Sequence, residues 1–103
     1  MTRTQLQQVG EFASLISIRY KGSEKGMCLR ASNELAELCV THGIQAAPQI
    51  GCFDGHPHAW VDVWCDGSVF WVDCTARQFG EYPSVILVPA FSMTNYGWEC
   101  SDE

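Results

Sequence analysis

Leu6, Val9, Phe12, Ala13, Ile16 and Tyr20 recur at three- and four-residue intervals, which predicts an amphipathic helix over residues 4–20. Lys21-Gly22-Ser23-Glu24-Lys25-Gly26 breaks that period and reads as a polar, glycine-bounded loop. A second helix is expected from about Cys28 to His42, with Leu35, Leu38 and Cys39 on its apolar side and Gly43 as its C-terminal cap. The period then shortens to two. Residues 44–50 read as a strand, and Pro48 assigns it to a sheet edge because proline cannot donate to a ladder. Residues 52–57 read as a loop. Alternating runs on either side of Asp66-Gly67 form a hairpin, since that dipeptide favours the tight turn joining two strands. Residues 84–88 are a further strand, and the tail 100–103 is expected to be loose. Helices followed by strands describe an α+β fold: two N-terminal helices on an antiparallel sheet of three to five strands.

The hairpin can be given a register. With Asp66-Gly67 as a two-residue turn, Cys65 pairs with Ser68, Trp64 with Val69, Val63 with Phe70, Asp62 with Trp71, and Val61 with Val72. Trp60 then falls opposite Asp73. Alternation puts His58, Trp60, Asp62, Trp64, Val69, Trp71 and Asp73 on one face. His58 is diagonal to Asp73, a spacing that long side chains bridge. Asp62 shares the face but lies about 13 Å along the strand from His58 at the usual rise. The opposite face carries Ala59, Val61, Val63, Phe70, Val72 and Cys74, which reads as core. A slip of one residue would separate the imidazole from the carboxylate.

Composition narrows the class. A chain of 103 residues allows one domain, 1–103, and 47% apolar with 17% charged residues describes a folded globule and not a disordered tail. The net charge of -6 argues against a nucleic-acid partner, which would want a basic stripe. No stretch has the length of a membrane span, and Met1-Thr2-Arg3-Thr4-Gln5 lacks the apolar core of a signal peptide. Cys28, Cys39, Cys52, Cys65, Cys74 and Cys100 are expected to be reduced thiols in a cytoplasmic protein, with Cys39, Cys65 and Cys74 as small buried hydrophobes. Disulfides remain the alternative if the chain is a domain of an exported toxin.

Cys28, His58 and Asp73 carry the candidate chemistry. A thiol at a helix start is exposed to unpaired N–H groups and a partial positive charge, both of which favour the thiolate. An imidazole on one strand and a carboxylate on the next supply a base and the group that orients it. The Cys28 N–H is one candidate oxyanion donor. Gln78 and Tyr20 are further candidates, and Trp60 is a candidate substrate-binding residue. Singly, each triad member has an ordinary structural reading: a buried thiol, a core or surface histidine, a turn-forming aspartate. The tryptophans read more readily as core than as a groove. Zinc is the rival chemistry, from Cys52, His56, His58 and Cys65. The spacing is poor for it, with no C-x-x-C and with Cys65 on the face opposite His58. Asp54-Gly55-His56 reads as a loop turn with His56 exposed, and no cofactor is expected.

Gly26-Met27-Cys28-Leu29-Arg30-Ala31-Ser32, His58-Ala59-Trp60-Val61 and Val72-Asp73-Cys74-Thr75-Ala76-Arg77-Gln78-Phe79 together resemble the transglutaminase-like branch of the papain-like thiol enzymes. The resemblance covers roughly residues 22–89. The stretch from Asp73 to Phe79 looks most like papain-fold toxin and deamidase-type domains. The Cys28 and His58 stretches look like the leader peptidases of lasso-peptide maturation. The resemblance implies a papain-like fold with Cys28 as nucleophile, His58 as general base and Asp73 as orienter. It implies an amide hydrolase acting on a protein or peptide, either a cysteine peptidase or a glutamine deamidase. Two alternatives stay open: transglutaminase-type acyl transfer, and a non-catalytic binding or inhibitor module on the same scaffold.

Overall fold

A computed structural model describes residues 4–100. Helix α1 (Gln5–Arg19) begins at Thr4, whose side chain accepts from the Gln7 N–H while the Gln7 side chain accepts from the Thr4 N–H. This reciprocal cap satisfies two of the donors that a helix start leaves over. Helix α2 (Cys28–Thr41) ends where Gly43 adopts a φ of 78°, the left-handed conformation that glycine reaches without strain. The strands are β1 (Gln45–Phe53), β2 (His56–Cys65), β3 (Ser68–Asp73), β4 (Ile86–Pro89) and β5 (Tyr96–Gly97), with a short 3-10 helix at Ala76–Phe79 between β3 and β4. They form one antiparallel sheet in the order β4-β3-β2-β1-β5. The fold is therefore α+β, with two helices packed on five strands. Among the described residues no helix is long and apolar enough to cross a membrane.

The β2–β3 register is the one expected, from Cys65↔Ser68 through Asp62↔Trp71 to Val61↔Val72. Asp66 and Gly67 take φ values of 54° and 74°, the pair of left-handed residues that a tight hairpin turn requires. The expected loop over 52–57 is corrected. Asp54 and Gly55 form a second such turn, with φ 50° and 82°, and the strands run up to it on both sides. Pro48 does lie on a strand whose outer edge is largely open, because β5 covers only Cys52 and Phe53.

The sheet is covered on both faces. Val61, Val63, Cys65, Val72 and Cys74 meet Val9, Phe12, Ala13 and Ile16 of α1 and Ala31, Leu35 and Cys39 of α2. On the other face Trp60, Trp71, Phe53 and Ile86 pack with Ala76, Tyr96 and the half-buried Phe79 and Tyr82. The second core is aromatic: Trp60 lies 5.7 Å from Trp71, 4.8 Å from Tyr96 and 5.5 Å from Trp98 between ring centroids. Trp60 is fully buried here, so its assignment as a substrate-binding residue is corrected to core.

The cysteine assignment is also corrected. Cys52 and Cys100 form a disulfide across 48 residues of chain, leaving Cys28, Cys39, Cys65 and Cys74 as free thiols. The bond ties Cys100 to β1, where a loose tail had been expected; residues 101–103 lie outside the described residues. It also removes the support that six reduced thiols lent to a cytoplasmic location.

Candidate active site

His58 enters near the start of β2, and Asp73 is the last residue of β3. Extending the hairpin register makes them diagonal neighbours on one face. The His58 Nε2–H donates to Asp73 Oδ2 at 2.7 Å, and both residues are only 2% exposed. Nε2 therefore carries a proton. The other ring nitrogen, Nδ1, is buried and has no hydrogen-bond partner. An orphaned buried nitrogen costs free energy unless a further group uses it.

The group beside it is the Cys28 thiol. Burial pushes the thiol pKa up, but the His58 imidazole beside it, with the Ala59 and Leu29 N–H groups, outweighs burial and holds it below the ordinary value of 9.0. Burial pushes the imidazole down. The Asp73 carboxylate, which accepts from Nε2, and the neighbouring Cys28 sulfur overcome that and raise His58 from 6.5 to about 9. Both shifts favour thiolate and imidazolium, so each charge stabilises the other. The start of α2 adds to this, since Met27 supplies no side-chain cap to its free N–H groups.

Asp73 is held on both oxygens. Oδ2 also accepts from the Tyr96 hydroxyl at 2.8 Å, and Oδ1 accepts from the Thr75 N–H at 3.0 Å. Phe53 and Phe79 stand edge-on to the imidazole, with centroids 5.7 Å and 4.8 Å away. These rings keep water from the His58–Asp73 bond, which strengthens it. Asp62 lies opposite Trp71, well down the strand. Burial raises its pKa, and a side-chain hydrogen bond from Trp71 partly offsets this.

Of the two other candidate oxyanion donors, Tyr20 has its one hydroxyl proton engaged elsewhere and is corrected. The Tyr20 hydroxyl donates to Glu34 Oε1 at 2.8 Å, bridging α1 to α2. The Gln78 amide donates to the Thr75 carbonyl at 3.1 Å. The rival zinc set does not assemble: Cys52 is in the disulfide, His58 is on Asp73, and Cys65 lies in the helix-side core. Among the described residues, no three histidine, cysteine or acidic side chains converge as a metal site.

Tyr96, Thr75 and Phe79 are the site residues that sequence reasoning missed. Thr75 was within reach, because an aspartate two residues before a backbone N–H is a common local turn. Tyr96 sits in a two-residue strand, too short to carry a period. Comparison with known proteins adds no relative: no family model, curated protein or solved structure matches the chain.

Proposed function

We propose that the chain is a cysteine-dependent amide hydrolase of the papain-like, transglutaminase-like kind, acting through Cys28, His58 and Asp73. One observation carries this reading. A buried imidazole is fixed through Nε2 by a doubly anchored carboxylate, while its unpartnered Nδ1 is left to a thiol of lowered pKa. A structural histidine has no use for an empty nitrogen beside a thiol.

In the first half-reaction the Cys28 sulfur attacks a carbonyl carbon, and the carbonyl electrons move onto oxygen. The N–H groups at the start of α2 are suited to meet that oxyanion. As the tetrahedral intermediate collapses, the C–N bond breaks and His58 gives its proton to the departing amine or ammonia. In the second, His58 takes a proton from water, the hydroxide attacks the thioester, and carboxylate and thiol are released. A backbone amide gives peptide cleavage; a glutamine side chain gives deamidation. Transfer to a lysine amine in place of water is the third outcome of the same acyl-enzyme. Asp73 keeps the imidazole in the productive tautomer throughout.

A binding or inhibitor module on the same scaffold is the second reading. Phe91 at 78% and Trp98 at 54% exposure favour it, since both flank the aromatic core and are free to meet a protein partner. Intact-mass spectrometry of candidate protein substrates separates these readings. A gain of about one mass unit marks deamidation, fragments mark a peptidase, and cross-linked species mark transfer. All three should vanish with Cys28→Ala; biological activity that survives this change would favour the binding module.

A further inference from the structure

Glu24 is a buried acid that the proposed chemistry does not use. It is 8% exposed, and its carbonyl and both carboxylate oxygens are engaged. Its carbonyl accepts from the Met27 N–H at 3.0 Å, closing the turn that ends one residue before Cys28. Its Oε1 accepts from the Gly22 N–H at 3.0 Å, and its Oε2 accepts from Arg77 Nη2 at 2.6 Å. Arg77 lies in the 3-10 helix that follows Asp73 and Thr75, and the same Nη2 reaches the Ser17 hydroxyl of α1 at 3.4 Å. The pair thus ties the loop that delivers the thiol to the segment that follows the carboxylate. Stability alone gives little reason for it. Taking the Glu24 carboxylate, and much of the Arg77 side chain, out of water costs free energy that their attraction must offset, and an apolar pair of similar volume is often as good or better. What an ion pair adds is direction.

We infer that Glu24 and Arg77 are positioning residues, forming a brace that sets where Cys28 stands against His58; this rests on the thiol-hydrolase reading. The test is the pH profile of Cys28 alkylation by iodoacetamide, read by peptide mass spectrometry beside a urea midpoint. It needs no known substrate. The double variant Glu24→Gln/Arg77→Met removes both charges and so leaves no unpaired buried ion. Its urea midpoint should stay near wild type while alkylation at pH 6 slows about tenfold, the effect of a one-unit rise in thiol pKa. Glu24→Gln alone, which can still accept from Gly22, should slow alkylation at least about threefold on the same reasoning. A double variant with the wild-type alkylation profile, or no slowing in Glu24→Gln, would overturn the brace. A wild-type Cys28 that alkylates as an ordinary thiol would overturn the hydrolase reading and the brace with it.

Discussion

Asp73 and Asp62 are two aspartates on one sheet face with opposite surroundings. Asp73 accepts from His58, Tyr96 and Thr75, whereas Asp62 has a buried Oδ1 with no partner. Asp73→Asn keeps the shape and removes the charge that favours the imidazolium. It should lower kcat by orders of magnitude, up to about 10⁴-fold, in the substrate assay. Asp62→Asn should cost less than tenfold there, as its neighbour is Trp71 and not His58. The raised His58 pKa also makes a stability prediction, with the thiol removed so that only one group of the pair titrates. In Cys28→Ser, Asp73 still supplies the largest upward push on His58. A group whose folded pKa is raised stabilises fully below its unfolded value and loses that stabilisation as pH rises through the folded value. The urea midpoint of Cys28→Ser should therefore fall as pH climbs above 6.5, the fall ending below the value of about 9 that holds when the thiol adds its own upward push. Adding Asp73→Asn should abolish that fall. The His58–Asp73 contact was legible in the sequence because a tight turn and strict alternation fix which side chains meet diagonally. Tyr20 was misassigned because its hydroxyl is claimed by Glu34 on the neighbouring helix, a contact that spacing does not reveal.

The elements that were read well are those with a long period or strong turn chemistry: both helices and the Asp66-Gly67 hairpin. The Asp54-Gly55 hairpin was missed because Pro48, Gly51 and Pro57 interrupt the alternation around it. Strand β5 and the 3-10 helix are too short to show any period, yet β5 supplies Tyr96. Gly51 explains how β5 is seated. A Cβ there would stand 2.5 Å from the Gly97 carbonyl oxygen and 2.6 Å from the Trp60 ring. The backbone oxygen cannot swing aside as a flexible side chain would. Gly51→Ala should therefore lower stability by about 1–3 kcal/mol in urea unfolding, as overpacking does. Because Gly51 is paired with His58 and lies next to the β1–β5 contact, Cys28 reactivity should fall with it. Alanine at the half-exposed Gly10, whose nearest neighbour would be Leu87 at 3.7 Å, is the control that should leave reactivity unchanged.

At the scale of the whole molecule, two cores back the sheet, and one covalent link joins its ends in sequence. The helix-side core was expected, and the tryptophans of the other face were read as core more readily than as a groove; that Ala76, Ile86 and Tyr96 complete the second core was not legible, because the C-terminal third of the chain has little regular pattern. The Cys52–Cys100 pairing was out of reach too, since connectivity does not follow from cysteine counts. Closing a loop of 48 residues restricts the unfolded chain by about 4 kcal/mol in the chain-entropy account. Cys52→Ser/Cys100→Ser should lose up to that amount in urea unfolding, and reductant should do the same to wild type while leaving the variant unmoved. An equal response of both proteins to reductant would place the effect elsewhere.

The reactivity of Cys28 tests the central claim most directly. The other free thiols are buried and shifted the opposite way: burial pushes Cys74 up to about 12 and Cys39 to about 11, and raises Cys65. Limiting iodoacetamide applied to the folded, non-reduced protein across a range of pH, with peptide mass spectrometry, reads all four at once. Modification should fall on Cys28 first and persist well below pH 9, and Asp73→Asn should shift that profile towards an ordinary thiol. A Cys28 that becomes reactive only near pH 9, with no change in Asp73→Asn, would contradict a thiolate–imidazolium pair at this site.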